Sequence, residues 1–367
     1  MSKIVPVGQN DTQLWGMSSR ERLRRIAVAR GLQLREEAPG QDFILVNLGY
    51  AFDPSWLSYI AQRPNTVVTY GGVPILAHIG GGARGGVVAA MEKGEAMTAP
   101  AGLIVVAQEN MDLANNELRK RERPFMDRLT PDTVRSLERA SYFGAYKGVT
   151  DILTKYLWPE WALVLTRIAA RMGVTPNMVT ALGALACVAA TFLFYEGWYW
   201  TGLAVGLAFM VLDTVDGKLA RCTITSSWWG NIFDHGIDLI HPPFWWYAWG
   251  AGLAAYGRPL DNETFWEVML VIVGGYGVQR LIEGVFMRMF KMHIHVWRQF
   301  DSRFRLITAR RNPNMVILFA SLIIGRPDVG LIAVAGWTLV SVAVHSVQLI
   351  QALRVRSKGG MVRSWLA

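Results

Sequence analysis

LDTVDGKLARCTITSSWWGNIFDHGIDL, residues 212–239, places four aspartates, Asp213, Asp216, Asp234 and Asp238, between two strongly apolar flanks. The first pair is three residues apart and the second four, so each pair lies on one face of a helix. Two consecutive helices can bring both pairs to one depth. Carboxylates gathered in a low-dielectric setting repel one another and are costly to desolvate. A divalent metal is the simplest compensation, and hard carboxylate oxygens suit Mg2+ or Mn2+, with Mg2+ commonly binding together with substrate phosphates. The bland alternative, surface carboxylates capping two soluble helices, fits poorly with the apolar sequence on both sides.

Working outward, the whole chain has 367 residues, is 52% hydrophobic and has a mean hydropathy of +0.24. That is too apolar for an ordinary soluble protein and too charged for one that is all membrane. A net charge of +9 reads as cytoplasmic loops facing anionic headgroups, with no nucleic-acid partner. Two cysteines, Cys187 and Cys222, make neither a disulfide framework nor a cysteine zinc site. The opening MSKIVPVGQNDTQLWG lacks an apolar signal-peptide core, so the first segment is expected in the cytoplasm.

The fold class expected is an α-helical integral membrane domain with six transmembrane helices, preceded by a small soluble α/β domain. Residues 1–140 alternate short apolar runs such as FILVNLG with helical patterns such as SSRERLRRIAVA, the signature of the α/β domain. Residues 141–175 read as amphipathic juxtamembrane helices on the membrane surface. Residues 176–355 hold six candidate spans, near 177–197, 200–221, 229–255, 264–288, 313–326 and 329–352, and 356–367 is a basic cytoplasmic tail. Thr175-Pro176-Asn177 opens the first span, with Trp198, Trp200, Trp245, Trp246 and Trp249 as partial interfacial anchors. Arginine crowds the connection 286–311 and the tail, whereas EGWYW and GRPDVG carry few positive charges. The positive-inside rule then gives a multi-pass cell-membrane protein with both termini and residues 213–238 on the cytoplasmic side.

Between the acids, Gly217 and Gly230 permit close approach of a ligand or of two helices, and Ala220 sits on the aspartate side. Arg221 can pair with a phosphate through a forked contact, and Lys218 points elsewhere, toward solvent or headgroups. Asp213-x-x-Asp216-Gly217-x-x-Ala220-Arg221, eight residues, Gly230-x-x-x-Asp234-x-x-x-Asp238 resembles the signature of the CDP-alcohol phosphotransferase family at all eight fixed positions. The similarity covers roughly residues 140–355. It implies a six-helix membrane domain, a homodimer, and a mononuclear or dinuclear metal centre. It also implies transfer of a substituted phosphate from a CDP-linked alcohol donor to an acceptor hydroxyl, with release of CMP, in phospholipid or polar-lipid synthesis. By position, Asp213, Asp216 and Asp234 become the principal metal ligands. Asp238 becomes the general base, in reach of a second metal. Gly217, Ala220, Arg221 and Gly230 shape the CDP pocket, and Asn177 and Thr180 line its cytidine side. CDP-diacylglycerol is the expected donor, because membrane lipid can slide between helices at that leaflet.

Other residues have bland readings beside the sharp ones. His235 lies one position off the aspartate face, and His241-Pro242-Pro243 reads as a helix irregularity. Trp228-Trp229 suits an interfacial anchor better than a cytosine stack. Arg280 follows a long apolar run, and Arg310 and Arg311 precede the fifth span; these three are the candidates to bind an anionic acceptor. Residues 12–31 and 43–78 faintly resemble a nucleotidyltransferase-like domain, but the glycine-rich loop with its arginine is missing after the first strand. The domain is therefore expected to be non-catalytic, with Gly80–Gly86 a mobile loop. An aspartate-rich membrane prenyltransferase or a divalent-cation transporter are the competing classes.

Overall fold

The structure, a computed structural model, describes residues 3–35, 43–97, 102–115 and 118–366. Its contacts divide the chain into two units. One is Met1–Tyr146 with Thr166–Thr175 and Lys218–Ser226; the other is Lys147–Leu165, Pro176–Gly217 and Ser227–Ala367.

The first unit begins β1 (Lys3–Val7), α1 (Ser19–Ala29), β2 (Gln33–Leu34), β3 (Phe43–Asn47), β4 (Tyr50–Phe52) and α2 (Pro54–Ala61). It continues β5 (Thr66–Tyr70), β6 (Val73–Ile79), α3 (Arg84–Lys93), β7 (Ile104–Ala107), β8 (Leu113–Asn115), β9 (Lys120–Glu122), β10 (Met126–Arg128) and α4 (Val134–Gly144). Among the described residues the main sheet runs β2-β1-β3-β6-β5-β7, with β1 parallel to β2 and β3, β6 antiparallel to β3 and β5, and β7 parallel to β5. Alternation sends successive residues to opposite faces. Ile4, Ile44, Val46 and Val68 pack with Leu23 and Ile26 of α1 and Trp56 and Leu57 of α2. Val5, Phe43, Leu45 and Ala77 pack with Val87 and Met91 of α3. The result is a sheet covered on both sides, the α/β domain that the sequence pattern predicts. Ser18 caps α1 by accepting from the Glu21 N–H.

The helices that follow are α5 (Ile152–Tyr156), α6 (Pro159–Arg171), α7 (Pro176–Tyr195), α8 (Tyr199–Cys222), α9 (Trp228–Gly252), α10 (Asn262–Met269), α11 (Gly275–Phe290), α12 (Gln299–Phe304), α13 (Arg311–Ile323) and α14 (Pro327–Ser357). A π-helical stretch, Leu270–Gly274, joins α10 to α11 in one continuous rod. α6 is two-faced, burying Ala162 and Leu163 while exposing Trp161 and Val164.

Among the described residues three helices are long and apolar enough to cross a membrane: Pro176–Tyr195, Asn262–Phe290 and Pro327–Ser357. The other expected spans fall on α8 and α9, which carry the aspartates, and on α13, which has 13 residues. Small residues bring the helices of the second unit together. A methyl on Gly252 would lie 2.0 Å from the Phe194 carbonyl oxygen, and one on Gly275 2.5 Å from Thr338 Cγ2.

Two expectations are corrected. Trp245, Trp246 and Trp249 are fully buried, with the Trp245 indole donating to the Cys187 carbonyl and Trp249 to that of Pro327, so they are core residues and not anchors. Trp198 and Trp200 are exposed. Lys218 is also buried: its ammonium donates to the Ala145 carbonyl at 2.9 Å and lies 3.1 Å from the Tyr146 ring centroid, where cation–π attraction replaces water.

Candidate functional site

α8 presents Asp213 and Asp216, and α9 presents Asp234 and Asp238. Carboxylate oxygens of Asp213, Asp234 and Asp238 lie within 4.8 Å of one another. Asp216 is held differently. Its Oδ2 accepts from the Thr180 hydroxyl at 2.6 Å and its Oδ1 from the Gly217 N–H at 2.5 Å, and it is buried. Three of the four acids thus share one small space, while the fourth is fixed beside them by its own partners.

A guanidinium enters that space from α13. Arg311 donates from Nη1 to Asp238 Oδ1 at 2.7 Å and from Nη2 to Asp213 Oδ2 at 2.8 Å, with its cationic carbon 4.9 Å from the Phe209 ring centroid. Its Nε donates to Asn312 Oδ1, and the Asn312 amide donates in turn to the buried Asp151 carboxylate at 3.0 Å. The sequence grouped Arg311 with the acceptor arginines; the fold puts it on the aspartates. Asn312 and Asp151 carried no sequence signal, because their partners are far away along the chain.

The donor set fits a hard divalent cation. Every group is a carboxylate oxygen, three converge, and a forked cation between two of them shows that the cluster draws positive charge. Among the four acids, Asp213, Asp234 and Asp238 are the three whose oxygens converge.

α9 contains the consecutive prolines Pro242 and Pro243. Neither has an N–H, so the carbonyls four residues earlier, at Asp238 and Leu239, lose their helical donors. The Tyr276 hydroxyl fills one gap by donating to the Leu239 carbonyl at 3.0 Å. The helix irregularity read from the sequence therefore lies at the site, next to Asp238. His235 is exposed and its Nδ1 lies 3.7 Å from Asp234 Oδ2. Gly230 has a packing reason to lack a side chain: a methyl there would lie 3.0 Å from Asn177 Oδ1. Ala220 and Arg221 lie in the last turn of α8, grouped with the first unit.

The other two candidate arginines meet at one carboxylate oxygen. Arg280 Nη2 donates to Glu283 Oε1 at 2.7 Å and Arg310 Nη2 donates to the same atom at 2.5 Å. His295 Nε2 lies 3.3 Å from it, and burial pushes that imidazole well below its usual proton affinity. His345 completes the group, its ring centroid 5.3 Å from that of His295. Neither histidine stood out in the sequence.

Comparison with known proteins gives the same reading. The pattern of the CDP-alcohol phosphatidyltransferase family matches residues 173–358, half of the chain. Over 113 residues the chain is 34% identical to a phosphatidylinositol phosphate synthase of Cutibacterium acnes, covering 30% of this chain and 53% of that protein. Over 145 residues it is 34% identical to choline/ethanolaminephosphotransferase 1 of Arabidopsis thaliana, covering 36% of each. Human cholinephosphotransferase 1 is 34% identical over 144 residues, 36% of this chain and 34% of that protein. The chain spans about half or less of the length of these relatives.

Proposed function

The chain belongs to the CDP-alcohol phosphatidyltransferase family, and from that premise we propose that it transfers a substituted phosphate from a CDP-linked alcohol to an acceptor hydroxyl. CDP-diacylglycerol is the donor we favour, in phospholipid or polar-lipid synthesis, with release of CMP. The observation that supports this most is the convergence of Asp213, Asp234 and Asp238, with Asp216 fixed beside them.

The acceptor oxygen forms a bond to the phosphorus next to the donor alcohol, the P–O–P linkage breaks, and CMP leaves. Asp238 takes the proton of the acceptor hydroxyl, and Arg311 holds that carboxylate in place. Asp213, Asp216 and Asp234 are the ligands we assign to Mg2+ or Mn2+, which when bound neutralises the diphosphate and the leaving oxygen. The motif assigns Gly217, Ala220, Arg221 and Gly230 to the CDP pocket, with Asn177 and Thr180 at its cytidine side. Arg280 and Arg310, both paired with Glu283, border the side of the site that we assign to the acceptor. In the membrane we read α7, α8, α9, the α10–α11 rod, α13 and α14 as six spans of a homodimer, with termini and site at the cytoplasmic face.

The test is CMP release by the full chain, with Mg2+, from CDP-diacylglycerol, CDP-choline and CDP-ethanolamine against a panel of hydroxyl acceptors. CMP should form only when a hydroxyl acceptor is present. Asp238→Asn should keep donor binding and lose about 10²- to 10⁴-fold in kcat. Turnover of isoprenyl diphosphates instead, or normal turnover by Asp238→Asn, would remove the reading or the base assignment respectively.

A further inference from the structure

Glu283, His295 and His345 bring their ligand atoms within 4.8 Å of one another, the spacing of a metal cage. The charges around them argue otherwise. Arg280 and Arg310 both bond to Glu283 Oε1, so a dication would sit beside two guanidinium groups. Nor do the two arginines stand open to an anion, because Glu283 already counters them.

What this region lacks is neutral hydrogen-bond partners. His345 Nδ1 and Nε2, both side-chain amide atoms of Gln279 and both of Asn314 make no hydrogen bond among the described residues. All three residues are 0% exposed. Each such atom left unpaired is destabilising, because it has given up its hydrogen bonds to water for nothing. Their placement is coherent. Gln279 precedes Glu283 by one turn on α11, so the two share a helix face. Asn314 lies in the first turn of α13, where its N–H donates at 3.0 Å to the carbonyl of Arg310, the residue that precedes the helix. His345, on α14, reaches the same Glu283.

The region also adjoins the reacting groups. Arg310 and Arg311 are consecutive, one on Glu283 and the other on Asp238. Tyr276 carries the Arg280 guanidinium 5.3 Å from its ring centroid and donates its hydroxyl to the carbonyl of Leu239, the neighbour of Asp238.

Resting on the transferase reading above, we propose that Gln279, Asn314 and His345 form a hydroxyl-recognising subsite and that the acceptor is a polyhydroxylated alcohol. A neutral imidazole and a carboxamide each offer a donor and an acceptor, and so does a hydroxyl. A polyol with one hydroxyl at Asp238 can satisfy these atoms with its others. An amino alcohol with a single hydroxyl leaves them unpaired, and such a shortfall is how buried polar sites discriminate.

The test is calorimetric binding to the whole chain carrying Asp238→Asn, which suppresses turnover, in nanodiscs with Mg2+ and CDP-diacylglycerol, using inositol, inositol phosphate, glycerol phosphate, serine and ethanolamine as probes. Polyols should bind, and the inositol and inositol phosphate arms show whether a phosphate contributes. Gln279→Leu and His345→Leu should each weaken polyol binding roughly ten-fold or more, with His345→Gln recovering part of it. Serine and ethanolamine should be unaffected by all three. The inference is overturned if no polyol binds, if only the amino alcohols bind, or if Gln279→Leu raises Tm and leaves polyol affinity unchanged. That last pattern would mean ordinary buried polar packing. The transferase reading fails separately, when polyols bind but no acceptor yields CMP with the parent chain.

Discussion

At the scale of single residues, Arg311 ties two of the aspartates together. Its two Nη groups fix Asp213 and Asp238 at once, and only a planar fork can do that at 2.7 and 2.8 Å. Arg311→Ala should lower kcat about 10²-fold by freeing the base from its orientation. Arg311→Lys keeps the charge, loses the fork, and should recover only part of that. CMP release at saturating donor and acceptor measures both, and a lysine variant as fast as the parent would show that charge alone matters. The four acids were legible because spacings of three and four state their own geometry. Arg311 was legible as an unusual cation but not as the partner of Asp238, which lies 73 positions away. Lys218 misled for a related reason: nothing in its local sequence announces the Ala145 carbonyl or the Tyr146 ring.

Elements show the same division between local and distant causes. Asp151 caps α5, accepting from the Thr154 N–H at 3.0 Å, and the Asn312 amide bonds to the same Oδ1. Burial alone would raise this carboxyl, but the Arg305 charge, the Thr154 N–H and the Asn312 amide outweigh it and hold it below its ordinary range. A folded-state value below the unfolded one means that ionised Asp151 contributes stability above the ordinary carboxyl range. That contribution is lost as pH falls through the folded value. Asp151→Asn keeps a capping oxygen but loses the charge, and should therefore destabilise by about 2 kcal/mol at neutral pH. The gap to the parent should close below about pH 4, as thermal unfolding in detergent at several pH values would show; a gap that stays constant in acid would refute the assignment. Close helix packing gives a second contrast. Gly252→Ala forces a methyl to 2.0 Å from the Phe194 carbonyl oxygen, whereas Gly236→Ala, between Asp234 and Asp238, meets nothing within 4 Å. The first should cost about 3 kcal/mol. The second should be neutral or slightly stabilising. Nothing in the sequence separates these two glycines, because only the neighbouring helix tells them apart. The sequence also offered Trp245, Trp246 and Trp249 as anchors; their indoles instead fill the bundle, and those of Trp245 and Trp249 each find one acceptor on a neighbouring backbone.

Over the whole molecule, the division into an α/β unit and a helical unit follows from hydrophobic period: two in the strands, 3.6 in the helices. The count of spans was less legible. Aspartates on α8 and α9 and two prolines in α9 lower the apolar character of those helices, and among the described residues three helices are long and apolar enough to cross a membrane. The first unit poses a different question, whether the segment after its first strand could hold a nucleotide, as the faint nucleotidyltransferase resemblance of the sequence would require. After β1 the chain turns at Gly8 (φ 76°) and runs to Ser18, the cap of α1, without an arginine. That segment is tied to the unit's own residues. The Asn10 amide donates to the Leu129 carbonyl at 2.9 Å, and buried Trp15, held at φ 55°, donates its indole N–H to the Ser141 hydroxyl at 2.7 Å. Leu14 and Met17 pair through their backbones and are buried. A loop that cradles a triphosphate must offer free N–H groups and positive charge; this one carries neither lysine nor arginine and turns the Asn10 and Trp15 side-chain donors inward. The glycine-rich stretch 80–86 lies at the start of α3, after β6, where a short 3₁₀ turn, Gly81–Ala83, leads into the helix. The intact protein incubated with CTP, Mg2+ and phosphorylated alcohols should release no pyrophosphate above background, while it releases CMP from a CDP-linked alcohol. Pyrophosphate release that survives Asp238→Asn would place a second catalytic centre in the α/β unit and overturn its reading as a non-catalytic domain.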